Sequence, residues 1–190
     1  AETEFAGEWI LSGLMGNRHA ANSASLLRCD FELPERPATA RLYVGIRGQG
    51  RLFVNHESHS SFDPQWLDYS ACYPRFTLDL TDELRAGMNS LTFLLGDGVY
   101  AGKIPKLGRE IFGSQPSVKA WLQVELVSGR KVDLITNTDW RWQAAWISAG
   151  EWCGGNTVDL RRREASFALN SSLQEWGTVG VQANDGCQGY

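Results

Sequence analysis

The stretch from Ala40-Arg-Leu-Tyr-Val44 to Leu95-Gly-Asp-Gly-Val-Tyr-Ala-Gly102 decides the fold. It reads as strand, turn, strand, aromatic loop, strand, short polar link, strand and glycine-rich loop. Apolar and polar residues alternate along its strands, the period of a sheet that buries one face. Ala40 to Ile46 is one strand and Gly50 to Asn55 the next. Arg75-Phe-Thr-Leu-Asp-Leu80 sets Phe76, Leu78 and Leu80 on one face, and Asn89-Ser-Leu-Thr-Phe-Leu-Leu95 follows. Between them, Thr81-Asp-Glu-Leu-Arg-Ala-Gly87 predicts one capped helical turn, with Thr81 as N-cap and Gly87 just past the end.

The same alternation continues on both sides. Leu26-Leu-Arg-Cys-Asp-Phe-Glu-Leu33 stops at Pro34. Ser117 to Val127 turns Val118, Ala120, Leu122, Val124 and Leu126 inward, and Gly129 leads into a hairpin partner, Lys131-Val-Asp-Leu-Ile135. Trp140 to Gln143 and Asn156 to Leu160 are further short strand candidates. Many short strands with turn signals between them, and scarce helix signals, predict an all-β sandwich. No internal repeat or low-complexity linker interrupts it. The expected organisation is a β-sandwich module over 1–164. Residues 165–190 lose the alternation and read as a wrapping tail or the start of a connection to a further domain.

The chain of 190 residues can bury a sizeable core. Its net charge of −4 argues against a nucleic-acid partner, which needs a concentrated basic footprint. The basic run Arg161-Arg162-Arg163 reads as a solvated strand end. No apolar run approaches the roughly 18 residues of a membrane span, so no membrane partner is expected. Ala1 to Asn22 carries no signal-peptide pattern, and the chain begins without methionine. A secreted or cell-surface location is favoured over a cytoplasmic one. Cys29, Cys72, Cys153 and Cys187 lack C-x-x-C spacing, which argues against a zinc cluster. Full pairing would allow three connectivities, and buried free thiols are the alternative. Asn170-Ser171-Ser172 is a formal glycosylation sequon.

Eight tryptophans is a high count, and their placement matters. Sugar recognition needs flat apolar surface for C–H faces and polar groups for hydroxyls. Asp63, Trp66 and Asp68 in one loop, and Asp97 with Tyr100 in another, offer both. Glu151 beside Trp152 is a third candidate. Each has a structural alternative: Asp97 can cap backbone N–H groups in a tight turn, Trp66 can plug the sandwich end, and Glu151 can be a surface carboxylate. Calcium would need several oxygen ligands. Asp63, Asp97, Glu151 and Asp159 can contribute, with Asp63 and Asp97 foremost, but no spacing fixes such a site. His56-Glu-Ser-His59 reads as a polar loop pair, because i and i+3 on a strand face opposite ways and no third ligand is evident. There is no Gly-x-Ser-x-Gly elbow, phosphate loop or zinc-hydrolase helix, and no catalytic residues are assigned.

The ordered set of these pieces resembles the amino-terminal β-sandwich module of bacterial α-L-rhamnosidases. The matching residues are Ala40 to Val44, Gly48, Leu52 to Asn55, Pro64-Gln-Trp66 with Tyr69, and Leu80 to Leu84. Gly87 with Asn89 and Leu91, and Leu95 to Gly98 with Tyr100 and Gly102, continue the set. Glu8 to Ile10 and Arg28 to Phe31 resemble the entry of that module. Gly150-Glu151 and Val158 to Arg161 resemble its closing strand. The resemblance covers residues 8–162. It implies a galactose-binding-like jelly roll. It also implies a non-catalytic carbohydrate-binding or accessory role toward rhamnose-containing glycans, beside a separate catalytic α-helical barrel. Some members bind rhamnose with calcium. Here His56 replaces the turn glycine, Gln65 replaces the glycine before Trp66, Val99 replaces an aromatic residue, and the loop between Asn55 and Trp66 is short. Two other functions stay open: a purely structural sandwich packed on a catalytic domain, and a small standalone glycan-active enzyme.

Overall fold

The computed structural model describes residues 6–14, 16, 18–162, 176–183 and 188–189. Arg163, the Asn170 sequon and Cys187 lie outside the described residues, as does most of the expected tail. Strands are labelled β1 to β16 in chain order. One six-stranded antiparallel sheet contains β1 (Trp9–Leu11), β3 (Pro37–Arg47), β7 (Arg75–Asp79), β9 (Ser117–Leu126), β10 (Lys131–Ile135) and β15 (Gly180–Gln182). Its main path runs β15-β1-β9-β3-β7, with β10 also paired to β9. The second sheet runs β14-β11-β2-β8-β4-β5, from β14 (Gly177–Thr178) and β11 (Arg141–Ala144) through β2 (Ser25–Leu33), β8 (Gly87–Gly96) and β4 (Gln49–Val54) to β5 (Glu57–Phe62). Two small pairs complete it: β6 (Cys72–Tyr73) with β16 (Gln188–Gly189), and β12 (Ile147–Glu151) with β13 (Gly155–Val158).

The inward faces form one apolar core. Leu42, Val44 and Ile46 of β3 and Val118, Ala120, Leu122 and Val124 of β9 meet Leu27, Leu52, Val54, Leu91, Phe93 and Leu95 from the other sheet. The expected inward face of β9 is buried at every one of its five positions. The architecture is an all-β jelly-roll sandwich, with strand boundaries within a few residues of the sequence reading. Burial pushes the Cys29 thiol up to about 12, with Asp30 adding to the shift. Cys29, Cys72 and Cys153 are free thiols.

Three local readings change. Residues 57–62 form an edge strand, β5, where polar sequence suggested loop. Asn55 and His56 between β4 and β5 both take left-handed φ, +49° and +71°, the turn geometry that matches sheet twist. In the Thr81 turn, the cap is Asp79. Its carboxylate accepts the Thr81 N–H at 3.0 Å and hydroxyl at 2.6 Å, while the Thr81 hydroxyl oxygen accepts the Ala40 N–H. A single helical bond, Leu84 N–H to Leu80 O, follows, and Gly87 ends the turn at φ +87°. Arg161 and Arg162 lie on a helical turn rather than a strand end, and both pair with Asp159. Near the C-terminus, β14 pairs with β11 and β15 with β1, so residues 177–182 tie into both sheets.

Candidate functional site

The outer face of the second sheet carries the site. Along β4, Leu52 and Val54 point into the core, so Gln49, Arg51 and Phe53 point out. Register sets Arg51 beside Ser61 of β5 on one side and Leu94 of β8 on the other. Ala24, Leu26 and Phe53 here form a second small apolar cluster under Ala145, Trp146 and Trp176. The β12–β13 hairpin is fixed above this face by main-chain bonds. Ala24 N–H donates to Ile147 O at 2.9 Å, Ala145 N–H to Ala24 O at 2.8 Å, and Gly150 N–H to Asn22 O at 3.2 Å. Between hairpin and sheet lies a cleft of about 340 Å³. Its polar lining includes Asn22, Arg51, Ser61, Asp63 and Asn156, and Trp146 and Phe53 supply apolar wall.

Two candidate tryptophans meet beyond this cleft. Trp66 follows the lining residue Asp63 by three positions, and Trp152 follows the lining residue Gly150 by two. Their ring centroids are 5.1 Å apart with planes at 52°. Trp66 is 60% exposed and Trp152 48%. Exposing two indoles together forgoes the burial that tryptophan normally gains. The structure thus brings Trp66 and Trp152 together, each within three residues along the chain of a cleft-lining residue. Glu151 closes β12 opposite Gly155, and its side chain is outside the described structure.

Asp97 and Tyr100 go elsewhere. Asp97 is 2% exposed at the start of the short helix α1 (Gly98–Ala101). Its side chain makes no cap bond to that helix. The carboxylate instead accepts a hydrogen bond from the Arg109 guanidinium, and bonds from Asn22 N–H at 3.2 Å and Asn22 Nδ2 at 2.9 Å. Asn22 is a cleft residue, so Asp97 supports the cleft from beneath. The glycine after it is required by packing: at φ +54°, a Cβ on Gly98 would lie 2.6 Å from the Gly48 carbonyl carbon. Tyr100 is buried in a core cluster with Trp9, Tyr69, Tyr73 and Val99, and meets Tyr69 edge-on at 5.4 Å. The fully buried Arg47 lies over Trp9 at 4.2 Å and over Tyr100 at 5.9 Å.

The Asp68 carboxylate accepts from the Ser70 N–H and hydroxyl, bonds that hold it below the usual carboxylate range and close a local turn. Among the described residues, no three His, Cys, Asp or Glu side chains converge, and Asp97 is already neutralised by Arg109. The Asp97 carboxylate is therefore engaged by Arg109 and Asn22. His56 sits in the β4–β5 turn, and His59 lies on β5 with Nε2 3.4 Å from Glu83. Sequence reading missed Asn22, Arg51, Trp146 and Asn156. Arg51 stands at an outward position of a predicted strand, which was a usable signal. The other three become neighbours only through the hairpin.

Fold and site define a class: an antiparallel jelly-roll sandwich that presents a polar cleft beside exposed aromatic rings. A family model described as the α-L-rhamnosidase N-terminal domain matches residues 35–187. The chain belongs to that family. An α-L-rhamnosidase of Streptomyces avermitilis is 30% identical over 150 residues, covering 77% of this chain and 15% of that protein. The crystal structure of Streptomyces avermitilis α-L-rhamnosidase complexed with L-rhamnose superposes with a TM-score of 0.80 at 29% identity, covering 87% of this chain and 16% of that one. Native α-L-rhamnosidase from Aspergillus terreus gives a TM-score of 0.86 at 22% identity, over 94% and 21% of the respective chains, a likeness of fold. The chain spans less than a fifth of the length of the curated relatives, at 15%, 17% and 19%. No helix among the described residues is long and apolar enough to cross a membrane.

Proposed function

We propose that this chain is a non-catalytic accessory module that holds rhamnose-containing glycans for a neighbouring α-L-rhamnosidase catalytic domain. The observation that carries the reading is the exposed Trp66–Trp152 pair beside a polar cleft. Indole faces take the C–H side of a sugar ring, while Asp63, Ser61 and Asn156 offer acceptors and donors to its hydroxyls. Tethering a weak binder to a catalyst raises the local substrate concentration without new chemistry. Glycoside hydrolysis generally uses two carboxylates across the scissile bond. Among the described residues lining the cleft, Asp63 is the only carboxylate.

Tryptophan fluorescence reports directly on the proposed contact. Titration with a rhamnosylated oligosaccharide should change emission saturably, with a dissociation constant near millimolar, about 4 kcal/mol of binding. Emission that stays flat to tens of millimolar would remove the binding claim and leave a packing role for the exposed pair.

A further inference from the structure

Arg51 gives the cleft a charge preference. It is exposed, lies at an outward position of β4 and lines the cleft. Its row across the sheet is Ser61–Arg51–Leu94–Leu26, so its immediate neighbours present one hydroxyl and aliphatic surface. Four other arginines already have partners. Arg28 pairs with Asp30, Arg109 with Asp97, Arg161 with Asp159, and Arg141 donates to three main-chain carbonyls. The Arg51 side chain makes no hydrogen bond or ion pair among the described residues. Asp63, the acidic group lining the same cleft, does not pair with it either.

We infer that the cleft selects an acidic glycan, with a uronate carboxylate seated on Arg51 next to the sugar held by the tryptophans. A guanidinium offers a planar fork of donors that matches a carboxylate in two parallel hydrogen bonds. Asp63, left unpaired, accepts sugar hydroxyls and discourages a carboxylate from binding at its own end of the cleft. Orientation follows: uronate toward β4, neutral sugar toward the β5 end and Trp66. The chain is acidic overall, at −4, so attraction of an anionic ligand must come from this local cation.

The inference rests on the glycan-holding reading, and one experiment separates the two. The chain is titrated calorimetrically with three ligands. They are an oligosaccharide of alternating rhamnose and uronate, the same oligosaccharide with its carboxylates reduced to hydroxymethyl groups, and a carboxyl-free sulfated analogue. The uronate form should bind about 10-fold more tightly than the reduced form, the worth of one charge-assisted hydrogen bond. Salt should shrink the ratio. Arg51→Gln should abolish the ratio, with an unaltered melting temperature because the site is on the surface. Equal affinity of the native chain for uronate and reduced ligands overturns the inference but keeps the module reading, as does a preference that survives Arg51→Gln. A sulfated analogue bound as tightly as the uronate overturns the carboxylate assignment. Binding of none of the three overturns both readings.

Discussion

Replacing Asp97 by asparagine tests the support beneath the cleft. The side chains of Asp97 and Arg109 are 1% and 5% exposed, so neither charge is solvated from outside. Removing one partner of such a pair leaves the other buried and uncompensated, a loss of about 3–5 kcal/mol. The introduced amide keeps an oxygen for Asn22 Nδ2, so the change isolates charge more than shape. A domain of this size has about 5–15 kcal/mol of stability in total, and the variant should remain folded. With a urea slope of about 2 kcal/mol per molar, the unfolding midpoint should fall by about 2 M. Asp97→Asn, Arg109→Met and the double variant complete a cycle. The double variant should be less destabilised than the two singles added, by about 1–3 kcal/mol. Because Asn22 lines the cleft and rests on this carboxylate, glycan affinity should fall with stability in Asp97→Asn. A midpoint within about 0.3 M of the native protein, with additive singles, would refute the assignment of Asp97 as an internal strut.

Other outcomes follow from the same geometry. His56→Gly should stabilise the sandwich by about 0.5–1 kcal/mol in urea unfolding. A left-handed L-residue costs about 1–2 kcal/mol, and the added unfolded-state freedom of glycine offsets only part of that gain. Burial, with Arg28 next in effect, pushes the His56 imidazole below its ordinary value. A folded pKa below the unfolded one, about 6.5, means that the unfolded chain binds the proton first. His56 stabilisation is therefore full above about pH 6.5 and declines as pH falls through the folded value. Urea midpoints from about pH 7.5 to 5 should show this decline, and it should shrink in His56→Gly. At about pH 8, Cys29 should resist a thiol reagent until the protein unfolds, because its thiol is buried and its pKa is about 12. Cys153→Ser should reduce the fast phase of that reaction, and Cys29→Ser should leave it unchanged.

The sandwich was legible because its long strands largely follow a period of two. In Ser117 to Leu126, each inward position holds an apolar residue, and each is buried. The β5 edge strand was not, since Glu57-Ser-His-Ser-Ser61 has no apolar stripe and only Phe62 reaches the core. Its strand character comes from pairing with β4. Of the candidate residues, Trp66, Trp152 and Asp63 are exposed, as loop residues of those types would be for a ligand. Asp97 and Tyr100, of equally sugar-compatible types, are buried instead, one in an ion pair and the other in an aromatic cluster. Local sequence carries no sign that Arg109, twelve residues on, reaches back to Asp97. Asn22 and Asn156 join the cleft only through bonds between the chain before β2 and the hairpin, contacts that alternation does not encode.

Isothermal titration of the native chain and of Trp66→Ala/Trp152→Ala with a rhamnosylated oligosaccharide tests the central claim most directly. Both rings are exposed, so the variant should keep the native melting temperature within about 2 °C while losing at least about 10-fold in affinity, about 1.4 kcal/mol. Unchanged affinity in the folded double variant, or no heat from the native chain, would contradict the assignment of this cleft and its tryptophans to glycan binding.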